Sequence, residues 1–286
     1  MLDLATPALA ALLWLGGLPP LGVAALGLLT VFAGYTAVYA LNDVVDYRVD
    51  QEKMSYSPQK TAGGYLDAVF MRHPMAQGQV SFAQGLLWTG AWALVALIGA
   101  YLLNPVCALI FLLGCALEAV YCLLLRVSHL RALISGVVKT LGGMAAVFAV
   151  DPHPEAGFLL LLCAWLFCWE IGGQNIPADW HDLEEDRALQ AKTIPVRYGV
   201  AGAGFMALAA LGLATVLGAV VLRLSPVRYS FPCLLLATIW GAYLLLVPAW
   251  GLFRTQGRAQ AATLFNRASY YPLAILATVL IRGLIP

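Results

Sequence analysis

The stretch N-D-V-V-D-Y-R-V-D, residues 42–50, decides the fold class because it ends a long uncharged run. The residues before it include one acidic residue, Asp3, and no basic residue. Three carboxylates then follow within eight positions, at Asp43, Asp46 and Asp50. An apolar run of this length that stops in a burst of charge is typical of a membrane helix reaching water. The stretch therefore predicts a transmembrane helix with a chemically active end.

The composition of the whole chain supports a membrane protein. Of its 286 residues, 62% are hydrophobic and 11% are charged, whereas a soluble domain has about 25% charged residues. Too few polar residues are present to cover a water-exposed surface, so lipid is the expected outer solvent. The net charge of +1 gives no reason to expect nucleic acid. The six cysteines lie in apolar runs without metal-ligand spacing, and we expect them to pack as small core residues.

Hydrophobic segments of spanning or near-spanning length predict an all-α polytopic membrane bundle of nine transmembrane helices, forming a single domain over residues 1–286. Pro19 and Pro20 mark either a loop or a kink, so eight helices are the alternative. The predicted segments are 4–18, 20–42, 80–103, 105–125, 130–150, 156–178, 200–222, 231–253 and 268–285.

Lysine and arginine are distributed unevenly between the two sets of alternate loops. With nine helices, one set holds twelve of these residues and the other set, with the C-terminal end, holds three. Because basic loops stay in the cytoplasm, we expect a cytoplasmic N-terminus, an external C-terminus and an inner-membrane location such as that of bacteria. The long loops 43–79 and 179–199 then face the cytoplasm, where we expect the active site.

A second acidic stretch, D-W-H-D-L-E-E-D at residues 179–186, repeats the spacing of the first. Asp179, Asp182 and Asp186 each lie 136 residues after their counterparts in the first stretch. The same interval runs from the second predicted helix to the sixth. We call residues 42–50 the first motif and residues 179–186 the second motif. Their correspondence predicts two pseudo-repeats that place like groups at like depth.

The spacing of each triad indicates the chemistry. Residues at i, i+3 and i+7 share one face of a helix, and like charges so placed repel. Two such faces near each other would need cations, and oxygen ligands without cysteine or histidine favour Mg²⁺ over zinc. The Asn42 carbonyl could also ligate Mg²⁺. The alternative is a solvated acidic helix end, which is the role expected of Glu184 and Glu185.

These motifs resemble those of the UbiA family of intramembrane prenyltransferases. The resemblance extends to R-H-P-M-A-Q-G-Q-V-S from Arg72, to R-V-S-H-L from Arg126 and to K-T-I-P-V-R-Y-G from Lys192. It implies a polyprenyl diphosphate whose head lies between the motifs, Mg²⁺ as cofactor, pyrophosphate as leaving group and a small acceptor. The implied metal ligands are Asn42, Asp43, Asp46, Asp50, Asp179, Asp182 and Asp186.

Further residues are expected to hold the substrates. The basic residues Arg72, Arg126, Lys192 and Lys53 are candidates for the diphosphate. Lys139 lies near the middle of a predicted helix, where a lysine costs about 2.5–3.5 kcal/mol. It should therefore pair with Glu118, Glu170 or the substrate. Tyr121 and Glu170 are candidates for the substrate pocket. The expected catalytic residues are Asp46, Asp182 and Lys139.

The sequence leaves more than one choice for the acceptor and for the role of the spacer 51–71. We expect an aromatic quinone precursor such as a hydroxybenzoate or naphthoate, with haem, another tetrapyrrole or a lipid glycerol as alternatives. Phosphoribosyl transfer to a polyprenyl phosphate is another alternative, and cation transport is a rival from a different class. Transport sites lie on broken helices near the bilayer midplane, whereas these motifs lie at predicted helix ends. The long spacer 51–71 suggests a lid over the active site.

Overall fold

The computed structural model describes residues 2–56 and 73–284, which form helices and short connections and contain no strand. A 3₁₀ turn at Leu2–Leu4 precedes the first helix, and π-helical turns Ile171–Asn175 and Ala242–Leu246 join consecutive helices. The helices are α1 Ala5–Leu15, α2 Leu21–Val45, α3 Tyr47–Tyr56, α4 Phe82–Leu103, α5 Pro105–Leu123, α6 Arg131–Val150, α7 Ala156–Glu170, α8 Ile176–His181, α9 Leu183–Ala188, α10 Ile194–Leu224, α11 Phe231–Gly241, α12 Val247–Thr255, α13 Arg258–Ser269 and α14 Tyr271–Leu284.

Within the described ranges, eight helical segments are long and apolar enough to cross a membrane. Four precede residue 151 and four follow it, which agrees with two pseudo-repeats. The predicted all-α membrane bundle is confirmed. The remaining predicted segment is the short helix α1, whose 11 residues extend about 16 Å. Because α1 is too short to span a bilayer alone, the eight-span alternative describes the structure better. The last span begins at Arg258, ten residues earlier than predicted.

Local sequence signals explain where several helices begin. The Ser81 hydroxyl accepts a hydrogen bond from the Gln84 backbone amide, and the Gln84 side chain accepts one from the Ser81 amide, forming a capping box at α4. Asn104 ends α4 and caps α5, with Pro105 at the first position of α5. The Asn104 amide also donates to the carbonyl of Phe148 on α6. These contacts fix the hairpin of α4 and α5 against α6.

The packed core lies mainly in the second half of the chain, where α7, α10, α13 and α14 meet α1. Trp165 and Tyr271 are fully buried there, and the Trp165 indole donates to the Tyr271 hydroxyl at 3.3 Å. Gly172 allows α10 to approach, since a Cβ at this position would lie 2.8 Å from the Ala207 carbonyl oxygen. A large cavity lies beside this core, lined by α2, α4, α5 and α6 of the first half together with α1 and residues of the second half.

Candidate active site

One cavity of about 1000 Å³ receives side chains from both acidic motifs. All six motif aspartates line it, three from the end of α2 and α3 and three from α8 and α9. Asp50, Asp179 and Asp186 are buried. The structure therefore brings together the two charged stretches that are 136 residues apart in the chain.

The backbone breaks at the middle aspartate of each motif. Asp46 separates α2 from α3 with φ −86° and ψ 2°, and Asp182 separates α8 from α9 with φ −98° and ψ 14°. Both lie near the bridge region, where many active-site residues are found. The expectation that each triad shares one straight helix is therefore wrong. The break also reorients α9, so that Glu185 is buried although it was expected to be solvated, while Glu184 is exposed.

The hydrogen bonds around the two breaks match. The Asp46 amide donates to the Asn42 carbonyl at 2.8 Å, and the Asp182 amide donates to the Ala178 carbonyl at 3.2 Å. One turn later, the amides of the third aspartates donate to Asp46 and Asp182 at 2.8 Å and 2.9 Å. The pseudo-repeat predicted from the spacing thus extends to backbone conformation at the site.

A histidine that the sequence analysis assigned no role joins two carboxylates of the first motif. His73 Nδ1 lies 2.9 Å from Asp43 and 2.8 Å from Asp50. Burial opposes charging of this imidazole, but its bonds to Asp43 and Asp50 outweigh burial and raise the pKa of His73 to about 9. His73 is therefore a cation at neutral pH. Its only signal in the sequence was its place in the R-H-P segment.

The second motif has a buried cationic partner, Arg131, which also had no assigned role. An Arg131 guanidinium nitrogen lies 3.5 Å from Asp179, and the guanidinium carbon lies 3.9 Å from the centre of the Tyr121 ring. Only 5% of Arg131 is exposed. Tyr121 therefore lines the cavity as expected and also fixes the arginine through a cation–π contact. Lys53 lies 4.0 Å from Asp186 and lines the same cavity.

The carboxylates remain crowded despite these cations. Burial and the neighbouring Asp50 raise the pKa of Asp46. Burial raises the pKa of Asp186 to about 6, with Lys53 opposing. The second carboxylate oxygen of Asp179 is buried without a hydrogen-bond partner among the described residues. The six motif carboxylates, with an unpaired buried oxygen among them, fit a hard divalent cation such as Mg²⁺. Asp43, Asp50 and His73 each place a ligand atom within 4.8 Å of the others, so a cation that displaces the His73 proton could also take this nitrogen as a ligand.

Asn42 and Lys139 each contact buried or half-buried carboxylates, and one of these contacts was predicted from the sequence. The Asn42 amide donates to Glu118 at 2.7 Å. Lys139 Nζ lies 2.6 Å from Asp3 and 3.9 Å from Glu170. Glu170 is thus one of the predicted partners of Lys139, whereas Asp3 was missed because its partner is 136 residues away. All five residues line the cavity.

Two of the predicted basic residues, Arg126 and Lys192, lie elsewhere. Arg126 is 2.5 Å from Glu52, and both side chains are more than 40% exposed. Lys192 is exposed, and its backbone amide donates to the Leu125 carbonyl. Neither side chain lines the cavity. Arg72 and most of the spacer 51–71 lie outside the described residues.

This arrangement is that of a membrane-embedded enzyme with a polyacidic site, and the chain belongs to the UbiA prenyltransferase family, whose model matches residues 4–270. It is therefore a prenyltransferase. A digeranylgeranylglyceryl phosphate synthase of Thermococcus sibiricus is 28% identical over 81% of this chain and 77% of its own length. The corresponding synthase of Thermococcus kodakarensis is 25% identical over 92% of this chain and 86% of its own length.

A solved structure shares the fold over nearly the full length. The apo UbiA homologue of Aeropyrum pernix K1 superposes with a TM-score of 0.77 at 21% identity, covering 99% of this chain and 97% of its own. A UbiA homologue of Archaeoglobus fulgidus, solved with GPP and Mg²⁺, gives a TM-score of 0.63 at 15% identity, covering 97% and 96%. At these identities the likeness shows the common fold.

Proposed function

We propose that this protein transfers a prenyl group from a prenyl diphosphate to the hydroxyl of a glyceryl phosphate lipid, with Mg²⁺ as cofactor. The observation that carries the proposal is the single cavity, which has both acidic motifs at one end and an apolar extension at the other. Two relatives are named for synthesis of a glyceryl phosphate bearing two geranylgeranyl groups. Their names favour the lipid glycerol alternative over the expected aromatic acceptor.

The shape of the cavity fits an amphiphilic donor. Its lining on α2 runs from Asn42 back to Val23, a distance of about 28 Å along the helix. Much of the wall along this length carries small or apolar side chains, such as those of Gly34, Ala100 and Ala145, and the paired charges of Asp3, Lys139 and Glu170 interrupt it. A long prenyl tail can lie there while its diphosphate stays between the acidic motifs. The Archaeoglobus homologue solved with GPP and Mg²⁺ supports this class of donor.

At the charged end, different residues would bind the cations and the diphosphate. The six motif aspartates would hold the cations, and bound Mg²⁺ would supply Lewis-acid stabilisation of the departing diphosphate. Arg131, held against Tyr121, is placed to donate charge-assisted hydrogen bonds to diphosphate oxygens. Lys53 lies at the same end and adds a second cation. The apolar part of the cavity wall would limit the access of water, which could otherwise react with the allylic carbon in place of the acceptor.

We further propose that the charged end faces the cytoplasm. The loop charges support this orientation, because twelve of the fifteen loop and terminal Lys and Arg residues fall on that side under the predicted topology. The named relatives are archaeal, so they do not support the bacterial membrane expected from the sequence.

The test is a transfer assay with the full chain in detergent. Geranylgeranyl diphosphate and Mg²⁺ are supplied with either a mono-prenylated glyceryl phosphate or a panel of aromatic acids, and products are identified by mass. We expect an ether product and pyrophosphate with the lipid, and no product when EDTA removes Mg²⁺. Transfer to an aromatic acid alone would overturn the acceptor assignment. Absence of pyrophosphate release with every acceptor, from folded protein, would overturn the proposed reaction.

A further inference from the structure

Glu118 on α5 is a carboxylate in the cavity that belongs to neither acidic motif. Its Oε1 accepts a hydrogen bond of 2.7 Å from the Asn42 amide. The same amide contacts Cys122 Sγ at 3.2 Å, one turn further along α5. Asn42 therefore links α2 to α5 and clamps Glu118 in place. This bond engages one oxygen of Glu118 and leaves the other oxygen out of it.

The depth of Glu118 in the cavity is set by this clamp. Asn42 precedes Asp46 by four residues on α2, so Glu118 lies about one helical turn, roughly 5 Å, deeper than the Asp46 carboxylate. If the motif aspartates hold the cations and the diphosphate, the prenyl tail would run toward the apolar end of the cavity. Glu118 would then lie on the side of the diphosphate where the allylic carbon and the acceptor meet.

Lys139 and Arg131 act on Glu118 only from a distance, because each of them is paired with other groups. Lys139 lies closer to Asp3 and Glu170, and Arg131 is engaged by Asp179 and Tyr121. Among the described residues, Glu118 makes no ion pair within 4 Å. Its contact with Asn42 is a hydrogen bond from a neutral amide, which leaves the carboxylate able to accept a proton.

Glu170, a buried glutamate of the cavity, is placed less well than the half-buried Glu118. Glu170 precedes Asp179 by nine residues, which corresponds to about 13 Å along the helix. It is held by the Ser135 hydroxyl at 3.2 Å and lies near Lys139. Removal of the proton from the acceptor hydroxyl, as its oxygen bonds to the allylic carbon, needs a base within hydrogen-bond reach of that hydroxyl. Glu170 lies too deep for this role, whereas Glu118 lies at the required level.

We propose that Glu118 is the general base that accepts the proton of the acceptor hydroxyl, and that Asn42 is its positioning residue. The inference rests on the proposed transfer to a glyceryl phosphate lipid. The bond between the allylic carbon and the diphosphate oxygen breaks, and its electron pair leaves with the diphosphate. The acceptor oxygen forms the new bond to that carbon, and its proton passes to Glu118, which becomes a neutral carboxylic acid.

The test compares two acceptors that differ only in the attacking atom. One is the glyceryl phosphate lipid, and the other is its thiol analogue. A thiol ionises near pH 8.5 and needs no enzymatic base, whereas an alcohol does. Glu118→Gln keeps the size of the side chain and an oxygen that can accept from Asn42. Glu155→Gln, an exposed change at the residue that precedes α7 and lies outside the cavity lining, is the matched control.

We expect Glu118→Gln to lower kcat with the hydroxyl acceptor about 100-fold or more, within the range of general-base catalysis. With the thiol acceptor at pH 8.5 the loss should be less than about tenfold. Glu118→Asp should recover part of the hydroxyl reaction, and Glu155→Gln should match the wild type with both acceptors. Binding of the prenyl diphosphate, measured by calorimetry, should be unchanged in the folded variants.

Equal losses of kcat with both acceptors would assign Glu118 a structural role and overturn the proposal. Retention of the hydroxyl reaction within about threefold in Glu118→Gln would overturn it as well. Because Glu118→Asp keeps the carboxylate, its hydroxyl-to-thiol ratio decides the question if the glutamine variant does not fold. A wild-type protein that transfers to no lipid hydroxyl would overturn the proposed function, and this assignment with it. That outcome is visible before any variant is made.

Discussion

The two acidic motifs share a backbone conformation but differ in how their charge is balanced. Asp46 and Asp182 occupy equivalent helix breaks with similar φ and ψ. The first motif is bridged by His73, whose side chain is 27% exposed, whereas the second is paired with Arg131, which is almost completely buried. The repeated scaffold therefore carries an exchangeable cation, His73, at the first motif and a permanent cation, Arg131, at the second.

The shared geometry of Asp46 and Asp182 predicts the largest loss of activity. Asp46→Asn and Asp182→Asn should each lower kcat at least about 100-fold, because each removes a carboxylate from the centre of the proposed cation site. Pyrophosphate release from the prenyl diphosphate measures the loss, with Glu155→Gln as the control. A loss at only one of the two positions would show that the repeat is conserved in shape but not in chemistry, and activity in both variants would refute the metal assignment.

The permanent cation gives the next effect. Arg131→Gln leaves the buried Asp179 carboxylate without its ion pair, and breaking such a pair costs about 3–5 kcal/mol. We expect a lower midpoint of thermal unfolding in detergent, together with about a 100-fold fall in kcat/KM for the donor. Arg131→Lys keeps the charge but loses the flat contact with Tyr121, so its values should lie between the two. Wild-type stability and activity in Arg131→Gln would contradict the anchoring role.

The exchangeable cation predicts a smaller effect that depends on pH. Because the pKa of His73 is raised from 6.5 to about 9, its ion pairs are fully formed below pH 6.5 and are lost as the pH rises through 9. If Asp43 and Asp50 hold Mg²⁺, the imidazolium would compete with the metal for these two carboxylates. The Mg²⁺ concentration that gives half-maximal activity should therefore fall between pH 7 and pH 9.5.

Replacing His73 by glutamine should remove this competition. At pH 7, His73→Gln should lower the half-saturating Mg²⁺ concentration about fivefold, which corresponds to about 1 kcal/mol for a partly exposed pair. The same variant should show a flatter dependence of this concentration on pH. A half-saturating concentration that rises in His73→Gln would mean that the histidine helps to hold the metal.

The difference between the motifs also marks the limit of sequence reasoning. Spacing alone placed the triads and their repeat, because helix periodicity is local. The breaks at Asp46 and Asp182 were missed, since neither is accompanied by a glycine or proline that would signal one. His73, Arg131 and Asp3 were missed for another reason. Their ion-pair partners lie 23 or more residues away, and only the packed bundle brings those partners into contact.

Charge near a motif in the sequence is likewise a weak guide to charge in the site. Arg126 and Lys192 were expected to bind diphosphate, but both side chains lie outside the cavity that Lys53 and Arg131 line. Arg126 instead forms an exposed pair with Glu52, and such pairs contribute about 1 kcal/mol or less. Their position relative to the cavity, rather than their formal charge, should determine their effect on activity.

The smallest predicted effect follows from that contrast. Arg126→Gln and Lys192→Gln should each change kcat/KM for the prenyl diphosphate by less than about threefold, because neither side chain lines the cavity. Lys53→Gln, which removes the cation 4.0 Å from Asp186, should lower it about tenfold under the same conditions. A loss at Arg126 or Lys192 as large as that at Lys53 would show that these side chains swing into the cavity when the donor binds, so that the cationic wall of the second motif is assembled by the substrate.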